Sequence, residues 1–142
     1  MMALFVVLFL FVGVACAGDK VFAERVTVDE VVSVYDADTL RVRVNAWPPL
    51  IGDNMPVRVL GIDAPEIRGK CEDEKVKARA ARDYAASALL GASRVELRNI
   101  RRGKYFRLLA DVFVDGVSLA DELVKAGHAR GYDGGGRSGW CV

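Results

Sequence analysis

Histidine is almost missing from this sequence, and so is any excess of charge. The single histidine, His128, argues against a zinc site. Lys and Arg together number 20 against 19 Asp and Glu, so the net charge is +1 and bulk positive charge does not attract nucleic acid. Any basic binding site must therefore be local. The 142 residues contain no repeat and no long linker, which fits one domain.

The first seventeen residues, MMALFVVLFLFVGVACA, contain no charged side chain. The apolar stretch is shorter than the about 20 residues that a membrane-spanning helix needs. Its length and its small-residue end predict a signal peptide over residues 1–17, with cleavage after Ala15-Cys16-Ala17. Its start lacks Lys and Arg, so an uncleaved anchor and a buried N-terminal strand stay open, and Cys16 is a candidate for lipid attachment.

Cleavage there leaves a mature chain of residues 18–142 with two cysteines, Cys71 and Cys141. We expect this chain to be exported, to the periplasm or the medium, as a monomer without a stable membrane span. An even cysteine count in an exported protein indicates a disulfide. A bond to Cys71 would anchor the glycine-rich tail, residues 133–142, and contribute up to roughly 4 kcal/mol on the chain-entropy model. Two free thiols are the alternative.

Alternation of apolar and polar residues predicts about five short strands. They are expected at residues 25–34, 40–45, 57–62, 94–98 and 107–114. The last strand ends in a tight turn at Asp115-Gly116. Residues 46–56 are dense in Pro, Gly and Asn and indicate a loop.

A helical period predicts the first helix over residues 72–90. Its apolar residues recur every fourth position, at Val76, Ala80, Tyr84 and Ala88. Three acidic residues at its start suit the positive N-terminal end of a helix, and Gly91 suits its C-terminus.

The second helix is predicted over residues 118–126, where Ser118 and Asp121 form a capping box and Gly127 ends the helix. The order is three strands, a helix, two strands and a helix. Strands that close around one core in this order predict a mainly β, α+β fold: a five-stranded OB-type barrel with two helices. Its core should cover about residues 25–132.

Two acidic elements lie at predicted strand ends. Asp36 and Asp38, within VYDADTLRV, stand one residue apart, where alone they are typical of an ordinary turn. Asp63 and Glu66, within GIDAPE, follow the third strand, and Pro65 fixes the chain there. Carboxylates from two strand ends form a hard, oxygen-only site that favours Ca²⁺ or Mg²⁺ over zinc. A divalent cation would also offset the repulsion between the paired aspartates.

Two arginines complement these carboxylates. Arg58 stands inside the third strand, and Arg107 opens the last strand after the basic run LRNIRRGKYFR. The plain interpretation of both is a solvated surface residue. The functional interpretation is phosphate binding, with Tyr105 as a stacking face for a base or sugar. A metal and two guanidinium forks suit phosphoryl chemistry because they neutralise charge that develops on phosphorus.

Four pieces of the sequence together resemble the staphylococcal-nuclease-like (thermonuclease) family over roughly residues 26–132. These are, in order, VYDADTLRV, VRVLGIDAPE, KYFRLLADVFVDG and SLADELVKAGHAR. The resemblance implies a Ca²⁺-dependent nuclease that cleaves DNA and RNA and leaves 3′-phosphate ends. A non-catalytic nucleic-acid-binding module on the same fold is the alternative, and a structural surface lipoprotein attached through Cys16 is a third.

The resemblance also implies roles for the acidic residues. Asp38 and Asp63 look like metal ligands, and Thr39 adds its backbone carbonyl. Asp36 is similar to a carboxylate that stands behind the metal ligands. Glu66 looks like the residue that orients or deprotonates the attacking water.

The basic residues receive roles from the same resemblance. Arg58 and Arg107 look like the phosphate-binding pair. Lys104 and Tyr105 look like contacts to a terminal phosphate and its nucleoside.

The sequence departs from the family pattern at four places. Ala37 stands where glycine is frequent, so this turn must form without easy access to positive φ. Phe106 stands where glycine is common, and it is expected to crowd the nucleotide. The 46–56 loop is long, and the chain after Tyr132 is a short glycine-rich tail rather than a third helix.

Overall fold

The computed structural model describes residues 20–142, so the predicted signal peptide and Cys16 lie outside the described residues. The strands are β1 (Val21–Thr27), β2 (Glu30–Asp36), β3 (Thr39–Arg43), β4 (Met55–Val59), β5 (Ile62–Asp63), β6 (Val95–Arg102), β7 (Leu108–Val114), β8 (Val117–Ser118) and β9 (Arg130–Gly131). The helices are α1 (Pro49–Gly52), α2 (Glu72–Leu90) and α3 (Leu119–Lys125). No helix within residues 20–142 combines the length and apolarity needed to cross a membrane.

The main sheet has the strand order β1-β6-β7-β4-β3-β2, with β8 paired to β7. The strands β4 and β7 run parallel, and the other neighbours are antiparallel. The two ends of this order, β1 and β2, are consecutive in the chain and are joined by Val28 and Asp29 only. This short link closes the sheet into a barrel, which confirms the predicted mainly β, OB-type architecture.

The structure has more elements than the five strands and two helices expected. Residues 25–34 were predicted as one strand, but they bend at Val28-Asp29 and are shared between β1 and β2. Asp29 and Glu30 interrupt the alternation of valines at this point, and the sequence prediction did not treat the interruption as a bend. The predicted 46–56 loop contains the single turn α1, opened by Pro49, and β4 already begins at Met55.

The barrel interior is filled by the apolar residues that alternate along the strands. Its most deeply buried members include Leu40, Val42, Met55, Val57, Val59, Leu97, Ile100, Ala110 and Val112. Burial of the residues on either side of Arg58, at 0% and 1% exposure, leaves that arginine on the outer face of β4.

The helix α2 has the predicted bounds but buries a different face. Its buried apolar residues are Ala78, Ala81, Ala85 and Leu89. Of the predicted stripe, Val76 is 52% exposed and Tyr84 is 37% exposed. A strict spacing of four drifts around a helix of 3.6 residues per turn, whereas the alternation of threes and fours follows one face. Small alanines on that face allow α2 to pack closely against β2.

The ends of α3 and of β7 follow the predicted turn chemistry. The Ser118 hydroxyl accepts a hydrogen bond from the Asp121 N–H at 3.2 Å, and Gly127, at φ +77°, follows the helix. The β7–β8 turn has positive φ at both Asp115 (+48°) and Gly116 (+85°), as a tight hairpin turn requires.

Candidate active site

The turn between β2 and β3 buries its two carboxylates. Asp36 is 7% exposed and Asp38 is 2% exposed. Ala37 keeps a negative φ and is 1% exposed, so this turn does not need the conformational freedom of glycine. The Asp38 carboxylate is fully engaged: the Thr39 hydroxyl donates to Oδ1 at 2.9 Å, and the Ala64 N–H donates to Oδ2 at 3.1 Å. The hydroxyl contact of Thr39 was not foreseen.

Arg58 brings the two predicted strand ends together. Its Nη1 lies 3.1 Å from Asp38 Oδ2, and its Nη2 lies 3.8 Å from Asp63 Oδ1. Asp63, at the end of β5, is 3% exposed. One guanidinium therefore compensates two buried carboxylates that are separated by 25 residues of sequence, residues 38 and 63.

Asp36 lies next to this pair without joining it. Its Oδ1 accepts a hydrogen bond from the Ile67 N–H at 2.8 Å. Burial raises the pKa of Asp36, and the negative charges of Asp38 and Glu66 raise it further against the opposing effects of the Ile67 N–H and Arg58. Asp36 is thus buried beside Asp38, and the role that the resemblance implies for it stays a prediction.

Glu74, in the first turn of α2, holds the loop that carries Glu66. Its Oε1 accepts from the Glu66 N–H at 3.2 Å and its Oε2 accepts from the Lys70 N–H at 3.1 Å. Gly69 allows this close approach, since a Cβ there would lie 2.5 Å from the Glu74 side chain. The acidic residues at the start of α2 were predicted only to interact with the positive N-terminal end of the helix. The hydrogen bonds of Glu74 to the loop were not predicted.

The C-terminal tail, residues 133–142, contacts the same carboxylates. Arg137 Nε donates to Asp63 Oδ1 at 2.6 Å, Nη2 also donates to Oδ1, and Nη1 donates to Glu66 Oε1 at 2.9 Å. Trp140 Nε1 donates to the other oxygen of Asp63, Oδ2, at 3.0 Å. Burial opposes the charge of Arg137, but its hydrogen bonds with Asp63 and Glu66 raise the pKa of the guanidinium. Arg137 and Trp140 were not predicted.

The tail is held in place by two further contacts. Cys71, the residue that caps α2, is joined to Cys141 by a disulfide, as predicted from the cysteine count. The Arg130 guanidinium lies 3.7 Å above the Trp140 ring and donates to the carbonyls of Ser138 and Gly139, each at 3.0 Å. Arg130 pairs with Asp63 across β5 and β9, which places the tail beside the site.

A cavity of about 420 Å³ lies between the tail and the loop of residues 66–70. Asp63, Glu66 and Arg137 line one part of it. Another cavity, of about 430 Å³, lies beside Phe22 and Trp47 and contains none of the acidic site residues. The first cavity therefore adjoins Asp63 and Glu66, whereas Asp36 and Asp38 do not line it.

The remaining predicted residues, Lys104, Tyr105 and Arg107, lie between β6 and β7. The parallel register pairs Arg58 with Leu109, and Arg107 lies two residues before Leu109, just outside β7. Within residues 20–142, the buried Nε of Arg107 has no hydrogen-bond partner, as is also true of Arg98 and Arg101. No contact between Arg107 and the carboxylates is present in this part of the chain.

The β6–β7 loop carries Lys104 and Tyr105 at the surface. Tyr105 is 92% exposed, with φ +56°, and Phe106 follows with φ +55°. The Phe106 ring packs against the Arg102 guanidinium at 4.5 Å. Both aromatic rings are thus exposed at the surface.

Among the described residues, the potential metal-ligand atoms of three side chains come close together only at Cys71, Glu74 and Cys141. Both sulfurs of that group belong to the disulfide, so it is not a metal centre. The oxygens of Asp38, Asp63 and Glu66 do not form so tight a group of three within residues 20–142. Guanidinium groups, rather than a closed ring of oxygens, surround them.

Comparison with known proteins places this site in a family. A family model described as "Staphylococcal nuclease homologue" matches residues 56–137. The SPbeta prophage-derived endonuclease YokF of Bacillus subtilis (strain 168) is 36% identical over 110 residues, which cover 74% of this chain and 33% of that protein. Endonuclease YncB of the same organism is 34% identical over 111 residues, covering 75% of this chain and 47% of that protein. The chain thus spans less than half the length of either relative.

The matched residues include much of the site. Arg58, Asp63, Glu66 and Arg107 lie inside the region that the family model matches, and Arg137 is its last residue. That region makes up more than half of the 142 residues. This chain belongs to the staphylococcal nuclease homologue family.

Proposed function

We propose that this protein is an exported, Ca²⁺-dependent nuclease that hydrolyses phosphodiester bonds of DNA and RNA and leaves 3′-phosphate ends. The observation that carries the proposal is the convergence of two buried aspartates, Asp38 and Asp63, on the single guanidinium of Arg58. Membership of the nuclease homologue family and two relatives named as endonucleases support it.

The donor set fits a hard divalent cation. Asp38 and Asp63 offer only oxygen, and both are buried where an uncompensated carboxylate is unfavourable. Arg58 and Arg137 already place positive charge beside these carboxylates, so a metal ion there would compete with a guanidinium group. Asp38, Asp63 and the backbone carbonyl of Thr39 would hold Ca²⁺, which supplies charge neutralisation at the reacting phosphate.

Arg58 and Arg107 bind the phosphate in this proposal. Arg58 lies on β4 and Arg107 immediately precedes β7, the strand paired with β4, and the buried Nε of Arg107 has no hydrogen-bond partner within residues 20–142. Guanidinium forks match the geometry of phosphate oxygens and hold the charge that develops in the transition state. Lys104 and the exposed ring of Tyr105 bind a terminal phosphate and its nucleoside.

Glu66 takes the proton from the attacking water or orients that water. Its side chain is 45% exposed, so solvent reaches it, and the Glu74 carboxylate fixes the backbone beside it. A positioned general base contributes about 10²–10⁴-fold to a rate. Asp36, behind the pair, contributes negative potential without contacting substrate.

Export and the monomeric state belong to the proposal as well. Disulfides persist in oxidising compartments, so the bond between Cys71 and Cys141 supports an exported protein. The rival function is a nucleic-acid-binding module without catalysis. The presence of every residue that the resemblance assigns to chemistry, Asp38, Asp63, Glu66, Arg58 and Arg107, favours the enzyme.

The test is cleavage of plasmid DNA by the disulfide-intact protein, with Ca²⁺ and with chelator. We expect nicking and degradation with Ca²⁺ and none with chelator. Asp38→Asn and Asp63→Asn should weaken Ca²⁺ binding, measured by calorimetry, together with activity. Asp73→Asn, which alters an exposed ion pair with Lys77 on α2, is the matched control and should change neither. Unchanged Ca²⁺ affinity in both site variants would remove the metal site, and DNA binding without cleavage would favour the rival function.

A further inference from the structure

We propose that the C-terminal tail is an autoinhibitory element that competes with the metal ion: Arg137 provides a cation for Asp63 and Glu66, and the disulfide keeps it there. The inference rests on the proposed function, because it takes Asp63 to be a metal ligand. The tail must leave Asp63 before a divalent cation binds, and in the metal-free protein the tail, residues 133–142, occupies the carboxylates of the site.

The contacts of Asp63 leave no free oxygen. Oδ1 receives two hydrogen bonds from Arg137, and Oδ2 receives one from Trp140. The same guanidinium reaches Glu66 at 2.9 Å. A metal ion at Asp63 would lie against a guanidinium and an indole N–H, and the like charges of the ion and Arg137 repel. Binding of the ion and of the tail at Asp63 is therefore mutually exclusive.

The charges explain why the tail occupies this position without metal. Asp63 and Glu66 carry two negative charges near a third, on Asp38, and Arg58 and Arg130 together compensate only part of them. A planar guanidinium that bridges two carboxylates satisfies this arrangement well. The guanidinium carries one positive charge, whereas Ca²⁺ carries two, so sufficient Ca²⁺ displaces the tail.

The disulfide determines how strongly the tail competes. Cys141 lies four residues after Arg137 and next to Trp140, so its bond to Cys71 confines both donors near the site. Without the bond, the glycines of GGGRSG give the tail many alternative conformations, which lowers the effective concentration of Arg137 at Asp63. The Arg137 side chain is 41% exposed, so it can withdraw into solvent without unfolding the barrel.

The experiment measures Ca²⁺ affinity by calorimetry, which does not depend on activity. Arg137→Ala should bind Ca²⁺ about tenfold more tightly than the unmodified protein, because hydrogen bonds to charged groups of this kind are lost only from the metal-free state. Arg79→Ala, which alters an exposed ion pair with Glu72 on α2, is the matched control and should leave affinity unchanged. Thermal melts check that each variant is folded.

Removal of the disulfide provides a second route that leaves Arg137 in place. Cys71→Ser with Cys141→Ser should tighten Ca²⁺ binding by a smaller factor than Arg137→Ala. In the Arg137→Ala background the same two substitutions should add little, because of the two donors that the disulfide confines only Trp140 still contacts Asp63. In a Trp47→Phe background, Ca²⁺ should also change the fluorescence of Trp140 as its indole leaves Asp63.

Three results would overturn the inference. Unchanged or weaker Ca²⁺ binding in Arg137→Ala, with normal binding in the unmodified protein, would show that Arg137 does not compete and would leave the proposed function intact. Lost turnover in Arg137→Ala with unchanged Ca²⁺ affinity would instead assign Arg137 to substrate phosphate. Absence of Ca²⁺ binding in every variant, with chelator-insensitive cleavage, would remove the metal site and the inference together.

Discussion

Asp38 and Tyr105 lie at opposite extremes among the candidate site residues. Asp38 is 2% exposed, follows a strand end and receives contacts from Thr39, Arg58 and Ala64. Tyr105 is 92% exposed, lies in a loop and stands away from the barrel. The strand-borne group, Asp36, Asp38, Arg58 and Asp63, is positioned before any ligand arrives. The loop-borne group, Lys104 and Tyr105, is free to adjust.

This difference in burial matches two different functions, catalysis at phosphorus and recognition of the nucleotide. Chemistry at phosphorus needs groups held in fixed positions, and strands surrounded by a packed core hold them. Recognition of varied nucleotides tolerates adjustment, and an exposed ring on a loop stacks on any base. Arg137 belongs to neither group, because it lies in a glycine-rich segment that a disulfide holds to α2.

The largest effect is expected when the strand-borne group is changed. Arg58→Lys should reduce turnover by about 10²–10³-fold, because an ammonium does not bridge Asp38 and Asp63 or form a fork on phosphate. Arg107→Lys should act in the same direction through phosphate alone. Steady-state turnover at saturating Ca²⁺ measures both. Arg41→Lys, an exposed arginine on the neighbouring β3, is the control. Near-full activity in Arg58→Lys would return that arginine to a purely structural role.

Glu66 lies between the two groups, since its backbone is fixed by Glu74 and its side chain is partly exposed. Glu66→Gln should lose at least about 10²-fold in turnover, because the amide cannot take a proton. Ca²⁺ affinity should barely change, since Glu66 is not counted as a ligand. The loss should shrink as pH rises and hydroxide becomes available. Abolished Ca²⁺ binding would place Glu66 among the ligands.

A smaller effect is expected from the loop-borne group. Tyr105→Ala should raise KM by roughly tenfold, since stacking of one base contributes about 1–3 kcal/mol, and should leave kcat nearly unchanged. Tyr105→Phe keeps the stacking face and should behave like the unmodified protein. A large fall in kcat for Tyr105→Ala would show that the loop takes part in the chemistry and would end the distinction between the groups.

The smallest effect is expected for Glu96, which is buried and paired with arginines as Asp63 is, but lies outside the candidate site. Glu96 is compensated by Arg98 and Arg94, each at 2.8 Å. The hydrogen bond from Arg98 is the main cause of the lowered pKa of Glu96, whereas burial acts to raise this pKa. Its ionised form therefore stabilises the fold above its ordinary pKa, and this contribution is lost as pH falls through the lowered value.

Glu96→Gln should accordingly lower the melting temperature slightly at neutral pH, with a difference that shrinks as pH falls below the ordinary pKa of a glutamate. Turnover should not change. Thermal melts of both proteins across this pH range provide the measurement. A melting difference that persists at acid pH would mean that Glu96 contributes through packing instead of charge.

Much of the fold is determined by local patterns in the sequence. The bounds of α2 and the cap of α3 follow from residues within one or two helical turns, and the Asp115-Gly116 turn follows from its own two residues. The buried face of α2 was predicted wrongly, since alanines on two sides of the helix are equally apolar in sequence. Only contact with β2 decides which alanines are inside.

The sequence by itself determined the acidic residues, the arginines and the cysteine pair, because their chemistry depends on residue type and order. The tertiary structure alone decided which positive charges neutralise the acidic residues. Arg137 lies 74 residues from Asp63, and nothing in GGGRSGWC indicates which carboxylate its side chain reaches. Closure of the barrel at Val28-Asp29 and pairing of β5 with β9 bring these distant segments to one end of the fold. Electrostatic contacts act through space, so their partners are set only when the chain is folded.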